Sequence, residues 1–180
     1  MLVLVVGPSG AGKDTLLDAA RRALAGDARF RFVRREITRP ATAGGEAHVE
    51  VHFSVFAARR GAGHYALHWE AHGLGYGIPA AELAPDRFAV VNVSRSVIAE
   101  AAQRFRIRVV EITAPPAVLA QRLRLRGREA EADIAARLAR SVGLPDGVGS
   151  ITIVNDGTPE QGAERLLAAL RATAESAAPA

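Results

Sequence analysis

The stretch Gly7-Pro8-Ser9-Gly10-Ala11-Gly12-Lys13-Asp14-Thr15 lies between an apolar run and a segment with helical periodicity. The apolar run, residues 2–6, is long enough for one buried strand. After the glycines, apolar residues recur at the spacing of one helix face, at Leu16, Leu17, Ala20 and Leu24. A glycine-rich turn between a strand and a helix is the setting in which backbone N–H groups surround phosphate oxygens. The stretch therefore predicts a phosphate-binding loop.

Lys13 is the only lysine among the 23 basic residues of the chain, and all the others are arginine. An ammonium at this position of the loop reaches the β- and γ-phosphates of a bound nucleotide. Asp14 stands where the motif expects the hydroxyl that binds Mg²⁺. A carboxylate suits Mg²⁺, so Asp14 either replaces that hydroxyl as a ligand or only caps the helix. We assign nucleotide binding to Gly7, Ser9, Gly10, Ala11, Gly12, Lys13, Asp14 and Thr15.

The composition disfavours several classes of function. The formal net charge is +4, but the arginines are spread along the chain and aromatic residues make up only 5% of it. This pattern favours a cleft for small polyanions over a nucleic-acid surface. No apolar run approaches the roughly 18 residues of a membrane span, and the absence of cysteine removes disulfides and thiolate chemistry. We expect a cytoplasmic monomer or homodimer without nucleic-acid or membrane partners.

The order of apolar and helical segments predicts an α/β fold. Strands are predicted at 2–6, 30–35, 88–93, 107–113 and 151–154, and helical segments separate them, which indicates a five-stranded parallel sheet flanked by helices. Residues 36–85 break this pattern, because glycines, including those between 73 and 77, divide them into short pieces. We predict an inserted lobe there, with short strands at 49–53 and 64–70 and a helix at 54–60 capped by Ser54. Helices are also predicted at 94–105, 116–126 and 129–141.

Several motifs occur in the order found in the nucleoside monophosphate kinases, and the chain resembles guanylate kinase most closely. The matching segments are the loop at 7–13, Thr38-Arg39-Pro40, Gly45-Glu46, His52-Phe53 and Tyr76-Gly77. Arg122, Arg126 and Arg137 are spaced like the arginines of the family's lid. The resemblance covers nearly the whole chain. It implies a P-loop NTPase fold with an acceptor-binding lobe at 36–85 and a helical lid at 122–141.

The resemblance also implies the chemistry, which is in-line phosphoryl transfer with ATP and Mg²⁺ as cofactors. Lys13 would hold the β- and γ-phosphates, Asp14 would bind the metal, and Arg126 and Arg137 would stabilise charge on the transferred group. Asn155 is similar to the residue at the family's adenine-side turn. The residues implied to bind the acceptor are Arg35, Arg39, Glu46, Glu70, Tyr76, Asn92 and Arg95.

Departures from the guanylate kinase pattern concern the acceptor. Ile78 follows Tyr76-Gly77 where a small hydroxyl residue is expected, and Asn92 replaces an acid that reads guanine. Losing two hydrogen-bonding partners should relax guanine recognition. Together with Asp14 and Arg95, Ile78 and Asn92 make the chain resemble the ribose 1,5-bisphosphate phosphokinases of bacterial phosphonate breakdown. That resemblance implies a phosphorylated sugar as acceptor and 5-phosphoribosyl 1-diphosphate as product.

Two alternatives stay open at this point. One is guanylate kinase itself, with ATP and GMP as substrates. The other is a non-catalytic interaction module of the guanylate-kinase-like type, in which an eroded phosphate-binding loop is expected. Because Lys13 and the lid arginines are present, the sequence favours an enzyme.

Overall fold

A computed structural model of the chain describes residues 1–43, 46–126, 143–145 and 147–177. The described residues form nine strands, which we number in chain order as β1 Leu2–Val6, β2 Phe30–Phe32, β3 Glu36–Ile37, β4 Val49–Glu50, β5 Tyr65–Ala71, β6 Leu74–Pro79, β7 Phe88–Asn92, β8 Ile107–Thr113 and β9 Ser150–Val154. They also form five α-helices, namely α1 Lys13–Ala23, α2 Phe53–Gly61, α3 Ile98–Arg104, α4 Pro116–Arg126 and α5 Pro159–Ser176. The predicted helix at 129–141 lies outside the described residues.

The main sheet has five parallel strands in the order β2-β7-β1-β8-β9, which confirms the predicted α/β class. Strand β1 is central and wholly buried, as expected for an apolar run covered on both faces. Val3 and Val5 pack with residues of α1 and α5 on one face. Leu2 and Leu4 pack with residues of α3 and of β5 and β6 on the other. Because the strands are parallel, the loop after β1 and the end of β7 lie at the same edge of the sheet.

The second sheet has four strands in the order β4-β3-β6-β5 and belongs to the predicted lobe. The glycine-rich run at 73–77 is not a break between short pieces, since most of it belongs to β6. The reason is packing, because a Cβ on Gly75 would come within 2.5 Å of the Phe56 ring. A Cβ on Gly77 would come within 2.4 Å of the Tyr65 ring in the same way. These glycines therefore make room for two aromatic rings against an otherwise regular strand.

Two predicted helices begin differently in the structure. Helix α2 begins at Phe53, and its N-cap is His52, whose Nδ1 accepts a hydrogen bond from the Ser54 N–H at 3.4 Å. The prediction that Ser54 is the cap was therefore wrong by two positions. The predicted helix at 94–105 is a 3₁₀ turn, Arg95–Val97, followed by α3, because Ser94 caps the turn through the Ser96 N–H. No helix among the described residues is both long and apolar enough to cross a membrane.

Glu36 is a buried acid that holds the lobe together. Its side chain accepts a hydrogen bond from the Tyr65 hydroxyl at 2.6 Å and pairs with the Arg59 guanidinium at 2.7 Å. Burial raises the pKa of the Glu36 carboxyl, but the hydrogen bonds from Tyr65 and Arg59 and the Arg59 charge outweigh it and hold the pKa below its usual value. Glu36 thus ties β3 to α2 and β5.

Replacing Glu36 with glutamine is expected to lower the free energy of unfolding by roughly 2 kcal/mol, because a buried hydrogen-bond network loses its negative charge and one of its two acceptor oxygens. A carboxyl with a lowered folded-state pKa stabilises the fold above its unfolded pKa and loses that contribution as the pH falls. Denaturant unfolding should therefore depend less on pH between 5 and 3 in Glu36→Gln. Glu70→Gln, in the exposed pair with Arg60, is the control and should change little. Equal effects of the two changes would contradict this account.

Candidate active site

The loop after β1 has the backbone shape of an anion cradle. Gly7 has φ of 146°, and a Cβ there would lie 1.9 Å from the carbonyl oxygen of Ile112 on β8. Gly12 has φ of 89°, in the left-handed region, and is the N-cap of α1. The loop therefore requires glycine at both positions and leads directly into a helix N-terminus, where N–H groups bind phosphate.

The Lys13 side chain bonds back to the backbone of this loop. Its Nζ donates to the carbonyl oxygens of Gly7 at 2.8 Å and Pro8 at 2.9 Å. Burial lowers its pKa from 10.5 to about 8; the nearby Asp14 charge opposes this shift, while Arg35 and Arg95 add to it. Burial and the neighbouring guanidinium charges therefore disfavour the protonated amine, and an anion bound next to Lys13 would stabilise it.

Asn92 connects the loop to the lobe. This residue ends β7 and is 7% exposed. Its Nδ2 donates to Asp14 Oδ1 at 2.9 Å and, more weakly, to Glu46 Oε2 at 3.4 Å. The amide therefore bridges two carboxylates that a third acid at this position would repel. The replacement of the expected acid by Asn92 thus fits the presence of Asp14.

Arg35 and Glu46 form a bidentate ion pair beside this bridge. The Arg35 Nε donates to Glu46 Oε2 at 3.1 Å, and its Nη2 donates to Oε1. The guanidinium carbon lies 5.7 Å from the ring centre of Trp69 and 5.3 Å from that of Tyr76. These rings stack on each other at 5.2 Å with an interplanar angle of 1°. The pair and the rings together fix the Arg35 guanidinium in place.

A cleft of about 290 Å³ lies between the loop and the lobe. It is lined by Gly7, Ser9, Gly10, Gly12, Lys13, Asp14, Arg35, Arg39, Glu46, Trp69, Ala71, His72, Tyr76, Asn92, Val93 and Ser94. Arg39 approaches His48 Nδ1 at 3.4 Å through Nη2, and its Nε has no hydrogen-bond partner. The structure therefore brings three cationic side chains together with the phosphate-binding loop.

Two residues assigned to the acceptor from the sequence do not line this cleft. Glu70 is exposed and pairs with Arg60 Nη1 at 2.7 Å, because Trp69 and Ala71 on either side of it face the cleft and alternate residues of a strand point to opposite faces. Arg95 instead pairs with Glu111 at 2.6 Å. In this structure Glu70 thus lies outside the cleft and Arg95 is paired with Glu111, and their contacts with the acceptor stay a prediction.

A second cavity lies on the other side of the loop, between α4 and the start of α5. It is lined by Gly10, Gly12, Thr15, Leu16, Arg122, Leu125, Asn155 and Pro159. Arg122 contributes a buried Nη1 that has no hydrogen-bond partner. Arg126 is the last residue of α4, its side chain lies outside the described part of the chain, and so does Arg137. Only the helix up to residue 126 is described, and the lid assignment at 122–141 stays a prediction.

Three residues of these cavities were not assigned to the site from the sequence. Trp69 and His72 lie beside residues that were assigned to the acceptor, and the alternation of β5 would have placed Trp69 on the face opposite Glu70. His72 has φ of 53° in the turn between β5 and β6, and only the structure reveals this conformation. Arg122 was matched to the lid without a catalytic or binding role, and its buried Nη1 distinguishes it from an arginine on an exposed helix face.

The sheet, the loop after β1 and the adjoining cleft together define a P-loop kinase of the guanylate kinase fold. A solved guanylate kinase from Anaplasma phagocytophilum superimposes with a TM-score of 0.69 at 18% identity, covering 96% of this chain and 85% of that one. No family model matches the chain.

Curated relatives give the narrower assignment. The chain is 51% identical over 175 residues to the ribose 1,5-bisphosphate phosphokinase PhnN of Methylobacterium radiotolerans, covering 95% of this chain and 97% of that protein. It is 53% identical over 160 residues to the protein of the same name from Brucella melitensis biotype 2, covering 86% of this chain and 83% of that protein. It belongs to the ribose 1,5-bisphosphate phosphokinase family and is a phosphotransferase. The chain spans only 25% of a longer relative, the bifunctional ribose 1,5-bisphosphokinase-thymidine phosphorylase of Azorhizobium caulinodans, at 49% identity.

Proposed function

We propose that the chain transfers the γ-phosphoryl group of ATP to the 1-phosphate of ribose 1,5-bisphosphate. An oxygen of the 1-phosphate attacks the γ-phosphorus, the bond from that phosphorus to the β–γ bridging oxygen breaks, and ADP leaves. The product is 5-phosphoribosyl 1-diphosphate. The observation that carries this proposal is the cleft in which Lys13, Arg35 and Arg39 accompany the phosphate-binding loop.

The described residues divide into two groups in this reaction. Gly7 to Thr15 cradle the triphosphate, and Lys13 neutralises its terminal phosphates. Arg35 and Arg39 hold the acceptor phosphates, for which a guanidinium is the best donor. Arg126 and Arg137 of the predicted lid stabilise charge on the transferred group. The protein's role is to position the two substrates and to neutralise the charge of their phosphates, since phosphoryl transfer requires little covalent chemistry from the enzyme.

Asp14 fits the role of magnesium ligand. Its carboxylate lines the cleft beside Lys13, and only one of its oxygens accepts the hydrogen bond from Asn92. No group of three or more potential metal-binding His, Cys, Asp or Glu side chains occurs among the described residues, so Mg²⁺ would take the rest of its shell from phosphates and water. When bound, the ion supplies charge neutralisation on the transferring phosphates.

An acceptor without a nucleobase suits the lobe better than GMP does. Glu70, the exposed acid among the residues implied to bind the acceptor, points away from the cleft. The amide at Asn92 is engaged with Asp14 and Glu46, and Ile78 is fully buried in the core. Neither Glu70 nor Ile78 presents a polar group to a guanine ring, and of the Asn92 amide only the buried Oδ1 is without a hydrogen-bond partner. Guanylate kinase activity is therefore the second candidate.

The acceptor assay decides between these two functions. With ATP, we expect turnover of ribose 1,5-bisphosphate and little turnover of GMP, followed as ADP release in a coupled assay. Arg39→Ala should raise the KM for the bisphosphate by on the order of tenfold to a hundredfold with the KM for ATP unchanged, because a charge-assisted contact to a phosphate is lost.

Arg60→Ala, a change to an exposed arginine of the same lobe, is the matched control and should leave both constants unchanged. Efficient use of GMP without use of the bisphosphate would refute the proposal. Absence of ATP binding would favour the non-catalytic module instead. We place the reaction in the cytoplasm, because it consumes ATP and the sequence carries no cysteine, and we keep a monomer or homodimer as the expected state.

A further inference from the structure

Asn155 was assigned to the adenine side of the nucleotide site, and its surroundings suggest a different role. The residue follows β9 and is 5% exposed. Its backbone N–H donates to the Thr113 carbonyl at 2.7 Å, which fixes it to the end of β8. Its Nδ2 donates to the carbonyl oxygen of Ala11 at 2.8 Å. Asn155 therefore bonds to the phosphate-binding loop itself.

The Ala11 carbonyl needs this partner. A loop that turns its N–H groups toward phosphate turns its carbonyl groups outward, and a buried carbonyl without a donor costs about 1–3 kcal/mol. Lys13 serves the carbonyls of Gly7 and Pro8. Ala11 is fully buried, and its carbonyl receives the Asn155 amide instead. Two side chains, Lys13 and Asn155, thus bond to carbonyl oxygens of the loop.

Two glycines make room for this amide from opposite sides. A Cβ on Gly12 would lie 2.6 Å from Asn155 Nδ2, and a Cβ on Gly162 of α5 would lie 2.5 Å from Asn155 Oδ1. Glycine inside a helix costs about 1 kcal/mol relative to alanine. The space required by Asn155 accounts for the presence of Gly162 in the first turns of α5.

We propose that Asn155 is a positioning residue that fixes the phosphate-binding loop through Ala11, with Gly162 setting the space it occupies. The inference rests on the proposed use of ATP but not on the identity of the acceptor. In this role Asn155 acts on any ligand that carries the polyphosphate, whatever its base. A side chain that recognised adenine would act on ATP alone.

Calorimetric binding of ATP, GTP and inorganic tripolyphosphate, without acceptor, separates the two roles. Asn155→Ala should weaken the binding of all three ligands by a similar factor, on the order of tenfold, since one buried hydrogen bond is lost. Gly162→Ala should weaken all three as well, because the new methyl displaces the amide. When the two changes are combined, Gly162→Ala should add little, since the Asn155→Ala change has already removed the amide that the methyl would displace. The nearest remaining side-chain atom, Leu16 Cδ2 at 2.9 Å from the Cβ position, ends a flexible chain that can shift.

Glu164→Ala, an exposed position on the same helix, is the control and should bind all three ligands as the native chain does. Loss of ATP binding with unchanged tripolyphosphate binding would overturn the proposal in favour of adenine recognition. Additive effects in the double variant would overturn it too. If Asn155→Ala does not fold, Gly162→Ala decides by the same comparison of ligands. A native chain that binds none of the three refutes the proposed function instead.

Discussion

Replacing Lys13 with methionine is expected to lower kcat/KM for ATP by on the order of 10³-fold, because an electrostatic donor to the transferring phosphates is removed. Methionine keeps the length of the side chain and loses only the charge and the hydrogen bonds to Gly7 and Pro8. The loss should appear in ATP binding and in kcat, measured with a saturating acceptor. A decrease below tenfold would show that the loop binds the triphosphate through its backbone alone.

The same variant gives a pH signature. The lowered pKa of Lys13, about 8, means that the folded state binds fewer protons than the unfolded state between that pH and the ordinary lysine value of 10.5. The free energy of unfolding should therefore rise from pH 8 to 9.5 in the native chain and rise less in Lys13→Met. ATP affinity of the native chain should fall over the same range, because the phosphates require the protonated amine. If the free energy of unfolding had the same pH dependence in the native chain and in Lys13→Met, the assigned shift in the pKa of Lys13 would be contradicted.

Hydrophobic pattern predicted the main sheet well. Strands β1 and β8 were predicted with their observed bounds, and β7 and β9 within one residue, because a strand buried on both faces reads as a continuous apolar run. The second sheet was harder to predict, since β3 and β4 have two residues each and β6 is rich in glycine. Its stability comes from Phe56 and Tyr65 packed on that glycine face, which is a tertiary effect that local propensity does not show.

The part of the candidate site formed by the phosphate-binding loop could be predicted from the sequence, because the loop motif determines the conformation of its own backbone. The loop at 7–13 specifies both its conformation and its ligand, and the structure places Lys13 and Asp14 together in one cleft. Residues on the lobe depend instead on strand register. Along β5, Trp69 and Ala71 face the cleft and Glu70 between them faces away from it. A motif match does not show which face of a strand a residue occupies. The match therefore assigned Glu70 to the site although its side chain lies outside the cleft.

Replacing Asp14 with alanine is expected to lower kcat by on the order of 100-fold at limiting Mg²⁺, with less loss when Mg²⁺ is saturating. The carboxylate is the hard oxygen ligand that this loop offers where the motif normally places a hydroxyl. Asp14→Ser restores the hydroxyl of the motif, so it should recover much of the lost activity although it removes the negative charge. Initial rates over a range of Mg²⁺ concentrations, with ATP and acceptor fixed, measure both effects.

The rescue by serine separates metal binding from helix capping. An acid in the first turn of α1 stabilises the helix by about 0.3–1 kcal/mol, and both variants lose that charge equally. Both also release Asn92 Nδ2, which keeps Glu46 as a second acceptor. If Asp14 only capped the helix, alanine and serine would show the native dependence on Mg²⁺ and differ only in unfolding temperature. A selective return of Mg²⁺-dependent turnover with serine therefore identifies position 14 as the metal ligand of this loop.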